Sequence, residues 1–245
     1  MKIATAVLAA LMPLTGALAQ EGEMSGKHHE TAPMVKLDLR VPQGENQQRP
    51  EGWEVRLDKP DPSAKIGGEE DADIFFVNMA PGWHITAHKQ AIFYHPANTA
   101  EGSFKAKTAI HLFDPGQRDR EAFGIFVGGQ NLDSETQEYV YFLLRNTGEF
   151  LIKRRNGAET SVLKDWTKTD AMKVHPHDET SSVLNELEVH AGADEVSFHV
   201  NGTQVAGLPR GEVNVDGVVG LRVNHGLNLH VSDLGVISAR FIAPE

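Results

Sequence analysis

The chain has 245 residues, with no cysteine, 23 glycines, 12 prolines, 40% hydrophobic residues and a formal net charge of −11. That length fits one large domain or a domain with a tail. The lack of cysteine excludes a disulfide framework and any Cys-ligated metal site. The acidic balance argues against a nucleic-acid surface, which needs cations to neutralise phosphates.

Residues 1–19 read as a secretory signal. Lys2 supplies the charged start, Ile3 to Leu18 form a mostly apolar run broken by Pro13 and Gly16, and Ala17-Leu18-Ala19 is a small-residue cleavage pattern. The run is too short and too interrupted for a membrane anchor, which needs about 20 apolar residues. A mature chain starting at Gln20, exported to a periplasm or to the outside, is expected. Residues 20–34 are polar, with Gly22, Gly26 and a His28-His29 pair. This composition buries too little surface to order itself. Metal capture by the two histidines is the alternative to a solvated lead.

From residue 35 to 245 the pattern changes to short apolar runs of period two, punctuated by Gly, Pro, Asn and Asp, with no long 3.6-residue period. Evenly spaced short strands predict an all-β sandwich or barrel in one domain. The first notable segments are Pro81-Gly82-Trp83-His84-Ile85-Thr86 and Phe93-Tyr94-His95-Pro96. If they pair as neighbouring strands, Trp83, His84, Tyr94 and His95 share a patch. Such a patch would suit a sugar platform with His84 or His95 as general acid or base. The bland alternative is a Trp packed at a sheet edge with capping histidines. His84-x-x-x-His88 has the spacing of a zinc-binding helix, but its flanks read as strand.

A hairpin follows: Tyr139 to Arg145, the loop Asn146-Thr147-Gly148, and Glu149 to Arg155. A three-residue loop with glycine in the left-handed position is a favoured connection. It pairs Arg145 with Glu149, Leu143 with Leu151, Tyr141 with Lys153 and Tyr139 with Arg155. A one-residue slip would lose both the charge and the apolar matches. One face then carries Tyr139, Tyr141, Arg145, Lys153 and Arg155. Aromatic rings stack on pyranose faces and cations donate to hydroxyls or carboxylates, so this face is a candidate for an anionic or oxidised sugar. The alternative is a cross-strand ladder held by cation–π contacts and the Arg145–Glu149 pair.

Further along, His175-Pro176-His177 puts two imidazoles in a loop. A second hairpin is read at Leu187 to His190 and Val196 to Val200, with Leu187, Val189, Val196, Phe198 and Val200 apolar and Glu188, His190 and His199 on the other face. A third is read at Val219 to Val223 and Leu227 to Val231 around Asn224-His225-Gly226, pairing Val223 with Leu227, Leu221 with Leu229 and Val219 with Val231. The histidines fall into pairs rather than the three or four convergent ligands of a zinc site. No metal or other cofactor is expected, with calcium the alternative although no Asp-rich loop announces it.

Asn185-Glu186-Leu187-Glu188-Val189, Val200-Asn201-Gly202, Gly217 to Val223, His225-Gly226 and Leu229 to Val236 together resemble the C-terminal half of concanavalin A-like lectin/glucanase domains. The nearest likeness is to the bacterial 3-keto-disaccharide hydrolase-like branch, often labelled laminin-G-like. The resemblance runs from about Gly102 to Ile237 and implies a jelly-roll sandwich of two antiparallel sheets. It implies little about chemistry, because the fold hosts lectins, lyases, hydrolases and adhesion modules. The family-16 glucanase string Glu-x-Asp-x-x-Glu is absent; Glu186-x-Glu188 and Asp133-Ser134-Glu135 come nearest and neither matches. The expectation is therefore an exported carbohydrate-binding sandwich. Its ligand would lie on the concave face, with Tyr139, Tyr141, Arg145, Lys153, Arg155, Trp83 and Tyr94 as binding residues. No nucleic-acid, membrane-spanning or protein partner is expected. A 3-keto-glycoside hydrolase and an adhesion module without a small ligand are the alternatives. A carboxyl group with a raised pKa in a cleft would favour the enzyme, and a face packed shut by its own side chains would favour the adhesion module.

Overall fold

The computed structural model describes residue 42, residues 44–177 and residues 179–238. The expected signal segment and the His28-His29 lead lie outside the described residues. The strands are β1 (Glu54–Leu57), β2 (Ile66–Gly67), β3 (Ile74–Asn78), β4 (Trp83–Ala87), β5 (Ala91–Ala100), β6 (Phe104–Leu112), β7 (Ala122–Gln130), β8 (Glu138–Arg145), β9 (Glu149–Asn156), β10 (Glu159–Lys168), β11 (Val183–Ala191), β12 (Glu195–Val200), β13 (Thr203–Pro209), β14 (Gly217–Val223) and β15 (Leu227–Ser238). No helix among the described residues is long and apolar enough to cross a membrane.

The strands make a seven-stranded sheet, ordered β1-β5-β14-β7-β8-β9-β10, and an eight-stranded sheet, ordered β13-β12-β11-β6-β15-β4-β3-β2. All pairings are antiparallel except β2 with β3. Residues 54–100 are integral to both sheets, since they supply β1 and β5 to one and β2 to β4 to the other.

The two sheets bury one face each in a common core. Phe123, Ile125, Phe142, Phe150 and Leu221 come from the seven-stranded sheet, and Trp83, Ile85, Leu187, Phe198 and Leu229 from the eight-stranded one. Each such side chain contributes about 1.5–3 kcal/mol by leaving water. Rings interlock across the gap, as where Phe142 meets Phe198 edge-on at 5.4 Å between centroids.

The β8–β9 hairpin has the register its sequence predicts, with Tyr139 opposite Arg155, Tyr141 opposite Lys153, Leu143 opposite Leu151 and Arg145 opposite Glu149. Gly148 holds the left-handed φ of 76° that the loop needs. The β11–β12 hairpin also forms, with Leu187 opposite Val200 and Val189 opposite Phe198.

The expected third hairpin does not form. β14 pairs with β5 and β7, whereas β15 pairs with β4 and β6, so the chain crosses from one sheet to the other at Asn224–Gly226. The loop's backbone bonds leave in both directions, from Asn224 N–H to the Ala122 carbonyl and from Gly226 N–H to the Ala87 carbonyl. Val219, Leu221 and Val223 therefore face Leu227, Leu229 and Val231 through the core rather than along a ladder.

Candidate functional site

The seven-stranded sheet buries side chains on its outward face as well. Ile92, Tyr94, Phe126, Leu132, Tyr139, Tyr141 and Leu143 form a second apolar cluster there, with Trp166 and Val218 packed against it. Strand registers fix how these residues align. One row runs Glu54, Tyr94, Gly220, Phe126, Tyr141, Lys153 and the next runs Arg56, Ile92, Arg222, Gly124, Leu143, Leu151. Glycine at 220 lets the Phe126 ring lie over the backbone, since a Cβ there would sit 2.5 Å from the ring's Cε1.

Arg222 sits at the centre of the face with its side chain 7% exposed. It donates from Nη1 to Asp58 Oδ1 at 2.7 Å and from Nη2 to Asp58 Oδ2 at 2.5 Å, a bidentate pair. Nη1 also donates to the Tyr139 hydroxyl at 3.2 Å, and the guanidinium lies 4.9 Å from the Tyr141 ring centroid. Burial pushes the Tyr139 and Tyr141 phenols up, so both stay neutral. Burial also acts to raise Asp58, but the Arg222 hydrogen bonds and charge more than cancel it, and Asp58 is held below the usual carboxylate range.

Around this floor stands a half-buried polar rim of Arg56, Asp58, Arg145, Glu149, Lys153, Arg155 and Trp166. Arg145 bonds Glu149 at 2.8 Å and lies 3.9 Å over the Trp166 ring. The Thr147 hydroxyl, and then Arg145, hold Glu149 low against the opposing effect of burial. Beside Asp58 opens a cavity of about 500 Å³, lined by Asp58, Pro60, Asp61, Lys89, Gln90 and His225 among others. Its polar groups are pre-arranged: Lys89 is fixed by Asp61 at 2.5 Å and Asp73 at 3.2 Å, and Gln90 contacts His225 at 3.4 Å.

The structure thus gathers Tyr94, Tyr139, Tyr141, Arg145, Lys153 and Arg155 on one face and separates them from the other sequence candidates. Tyr139 and Tyr141 are 2% and 4% exposed, so they are the floor of the face and not free stacking platforms. The expected Trp83 patch does not exist, because β4 and β5 belong to different sheets. Trp83 points into the core, 1% exposed, against Trp53 at 4.8 Å between centroids. His95 alternates away from Tyr94, stands edge-on to Trp53 and accepts the Ala97 N–H at Nδ1. His84 lies on the outward face of the eight-stranded sheet, in one cross-strand row with His230 and His111. Burial lowers all three of these imidazoles, with the His230 charge adding to the effect on His84 and His111. His190 and His199 stack at 4.0 Å on the same sheet, with Glu188 bonded to His190.

Sequence reasoning missed Arg222, Asp58, Arg56 and Trp166. A lone arginine inside the apolar strand Val218 to Val223 was the available signal, because such a charge needs an acidic partner. The partner lies 164 residues away. Among the described residues, three ligating side chains also converge away from this face: Asp114, His175 and His177.

No protein-family model and no curated relative matches the sequence. Solved structures do match the fold. The carbohydrate binding module CBM66 from Bacillus subtilis superposes with a TM-score of 0.53 at 13% identity, covering 76% of this chain and 96% of that one. A Bacteroides ovatus mixed-linkage glucan GH16 protein in complex with its G4G4G3G product superposes with a TM-score of 0.52 at 6% identity, covering 82% and 98%. These likenesses show a jelly-roll sandwich of the concanavalin A-like type.

Proposed function

We propose that this is an exported carbohydrate-binding β-sandwich whose ligand lies on the outward face of the seven-stranded sheet, contacting the half-buried rim of Arg145, Lys153, Arg155 and Trp166, with Tyr94, Tyr139 and Tyr141 as the buried floor that holds the rim in place. The observation that carries this reading is the composition of that face. An aromatic floor is rimmed by Arg56, Lys153, Arg155 and Trp166 on a chain of net charge −11. Local cations on an acidic protein attract an anionic partner, so the favoured ligand is a glycan with uronic or otherwise oxidised units. The cavity beside Asp58 offers carboxylate, amide and imidazole groups to sugar hydroxyls. The CBM66 and GH16 likenesses agree with a glycan ligand at the level of fold.

Binding is favoured over hydrolysis of the 3-keto-disaccharide type. A glycosidase needs a carboxyl group held protonated as its acid. The two half-buried carboxylates of this face that are tied to arginines, Asp58 and Glu149, are both held below the usual carboxylate range. The test is a glycan array followed by titration calorimetry, with released reducing sugar assayed in parallel. Lys153→Ala/Arg155→Ala and Trp166→Ala alter half-buried rim groups, and each should weaken binding to an acidic oligosaccharide tenfold or more without releasing product. Unchanged affinity in both variants would refute the assignment of this face.

A further inference from the structure

The connection between β6 and β7 (113–121) and the connection between β10 and β11 (169–182) meet at one end of the sandwich. We propose that Asp114, His175 and His177 on these connections form a binding site for a transition-metal dication of the Zn²⁺ type.

The ligand atoms are already close. One from each residue lies within 4.8 Å of the other two, and His177 Nδ1 is 2.9 Å from Asp114 Oδ1. Zinc bonds of about 2.0–2.2 Å at tetrahedral angles bring neighbouring ligand atoms to about 3–3.5 Å. Closing the site therefore needs movements of an ångström or so in side chains of two loops, not a change of fold.

The hydrogen bonds around the cluster say more than the distances. A metal-bound imidazole uses one nitrogen on the ion and donates from the other to a carboxylate or carbonyl. His175 is set up this way already, and His177 becomes so once its Nδ1 proton is lost. His175 Nε2 is 2.9 Å from the Ser181 carbonyl, which can only accept, so that nitrogen carries the proton. The lone pair is then on Nδ1, where the backbone N–H of His177 donates to it at 3.1 Å. His177 donates from Nδ1 to Asp114 and from Nε2 to Asp119, 3.0 Å from Oδ1; loss of the Nδ1 proton leaves Nε2 on Asp119 and frees Nδ1, which gives a carboxylate–histidine–metal order. Asp119 is itself fixed by Asn146 Nδ2 at 2.7 Å, and the Asn146 amide also brackets the backbone of His175. Asp114 Oδ1 accepts the Gly116 N–H at 2.8 Å. Binding releases the proton between His177 Nδ1 and Asp114 to solvent, and exchanges that hydrogen bond, and the one from the His177 N–H, for bonds to the ion. The outer partners stay in place.

Two imidazole nitrogens in a three-ligand set select against calcium and magnesium, which take oxygen ligands, and suit zinc. Three protein ligands leave the fourth position for a water or a ligand oxygen. Because β6 and β11 belong to the eight-stranded sheet and β7 and β10 to the seven-stranded one, the ion would pin two crossings between the sheets to each other.

The test uses the full chain stripped with a chelator and titrated calorimetrically with ZnCl₂. Co²⁺ serves as a spectroscopic probe of a tetrahedral nitrogen–oxygen site, and thermal melting is recorded with and without Zn²⁺. The expected result is one saturable site per chain, a raised melting temperature and Co²⁺ d–d bands of tetrahedral intensity. His177→Ala and Asp114→Ala, both exposed positions, should abolish the site in a protein that still melts cooperatively. Asp119→Asn, which keeps the shape but removes the charge that His177 Nε2 donates to, should weaken it about 10–100-fold. His28→Ala/His29→Ala should leave it intact. Zn²⁺ binding that survives His177→Ala, disappears only with the His28-His29 pair, fails to saturate, or is replaced by preferential Ca²⁺ binding would overturn the proposal.

Discussion

Asp58→Ala tests the organisation of the outward face most directly. The substitution removes both acceptors of the bidentate pair and strands the Arg222 guanidinium, whose side chain is 7% exposed, among Tyr139, Tyr141 and Ile92. Removing one partner of a buried pair costs about 3–5 kcal/mol, because an uncompensated charge remains. Asp58 is itself 17% exposed, so water enters once the carboxylate is gone, and the lower end, about 3 kcal/mol, applies. For a domain of this size that is a fall in melting temperature of about 6–12 °C. Arg222→Met on the Asp58→Ala background removes the stranded charge and should recover most of the loss, since an apolar replacement of a whole buried pair is close to neutral. Urea unfolding of wild type, both single variants and the double variant gives the coupling energy. Asp58 is held below its ordinary pKa, so its contribution is complete above pH 4 or so and is lost as the pH falls further. A cost below about 1 kcal/mol for Asp58→Ala, or a double variant no better than the single, would show that the pair does not hold the face together.

Other outcomes follow from the same structure. Trp83→Ala should cost about 3–5 kcal/mol in urea unfolding while leaving the glycan affinity of the folded fraction unchanged, because Trp83 lies in the inter-sheet core. Gly148→Ala forces a Cβ onto a residue with φ of 76° and should cost about 1–2 kcal/mol by the same assay. His84, His111 and His230 are held below their ordinary pKa of 6.5. The unfolded chain binds their protons first, so stability should fall as pH drops below about 6.5. Urea midpoints compared between about pH 7.5 and about pH 5 should fall less in His230→Gln than in wild type; equal slopes would remove the row from the explanation.

How much was legible depends on how local each feature is. Around Gly148 the loop, the alternation and the Arg145–Glu149 pair all lie within one short stretch, and the predicted register is the one found. Around Gly226 the same kind of loop and alternation predict a hairpin, yet the strands part into different sheets. Period-two burial says which side chains face a core but not which strand pairs with which. Leu221 and Leu229 satisfy it equally well side by side or face to face. The condition that would join the Trp83 and Tyr94 segments is not met for the same reason, since nearness along the chain does not make two strands neighbours in one sheet.

Alternation and turn residues by themselves determined an all-β sandwich or barrel, the apolar faces of the strands between 139 and 155, 187 and 200, and 219 and 231, and the tyrosine–cation face of β8 and β9. Those signals are carried by neighbours a few residues apart, where backbone geometry leaves little choice. Only the tertiary structure decided that Tyr94 joins that face and Trp83 does not, that Arg222 finds Asp58 across 164 residues, and that Asp114 meets His175 and His177. Each of those meetings is set by the order of strands in the sheets. That order follows from burying both apolar faces and pairing the strands over the whole chain at once, a condition that no local stretch of sequence contains.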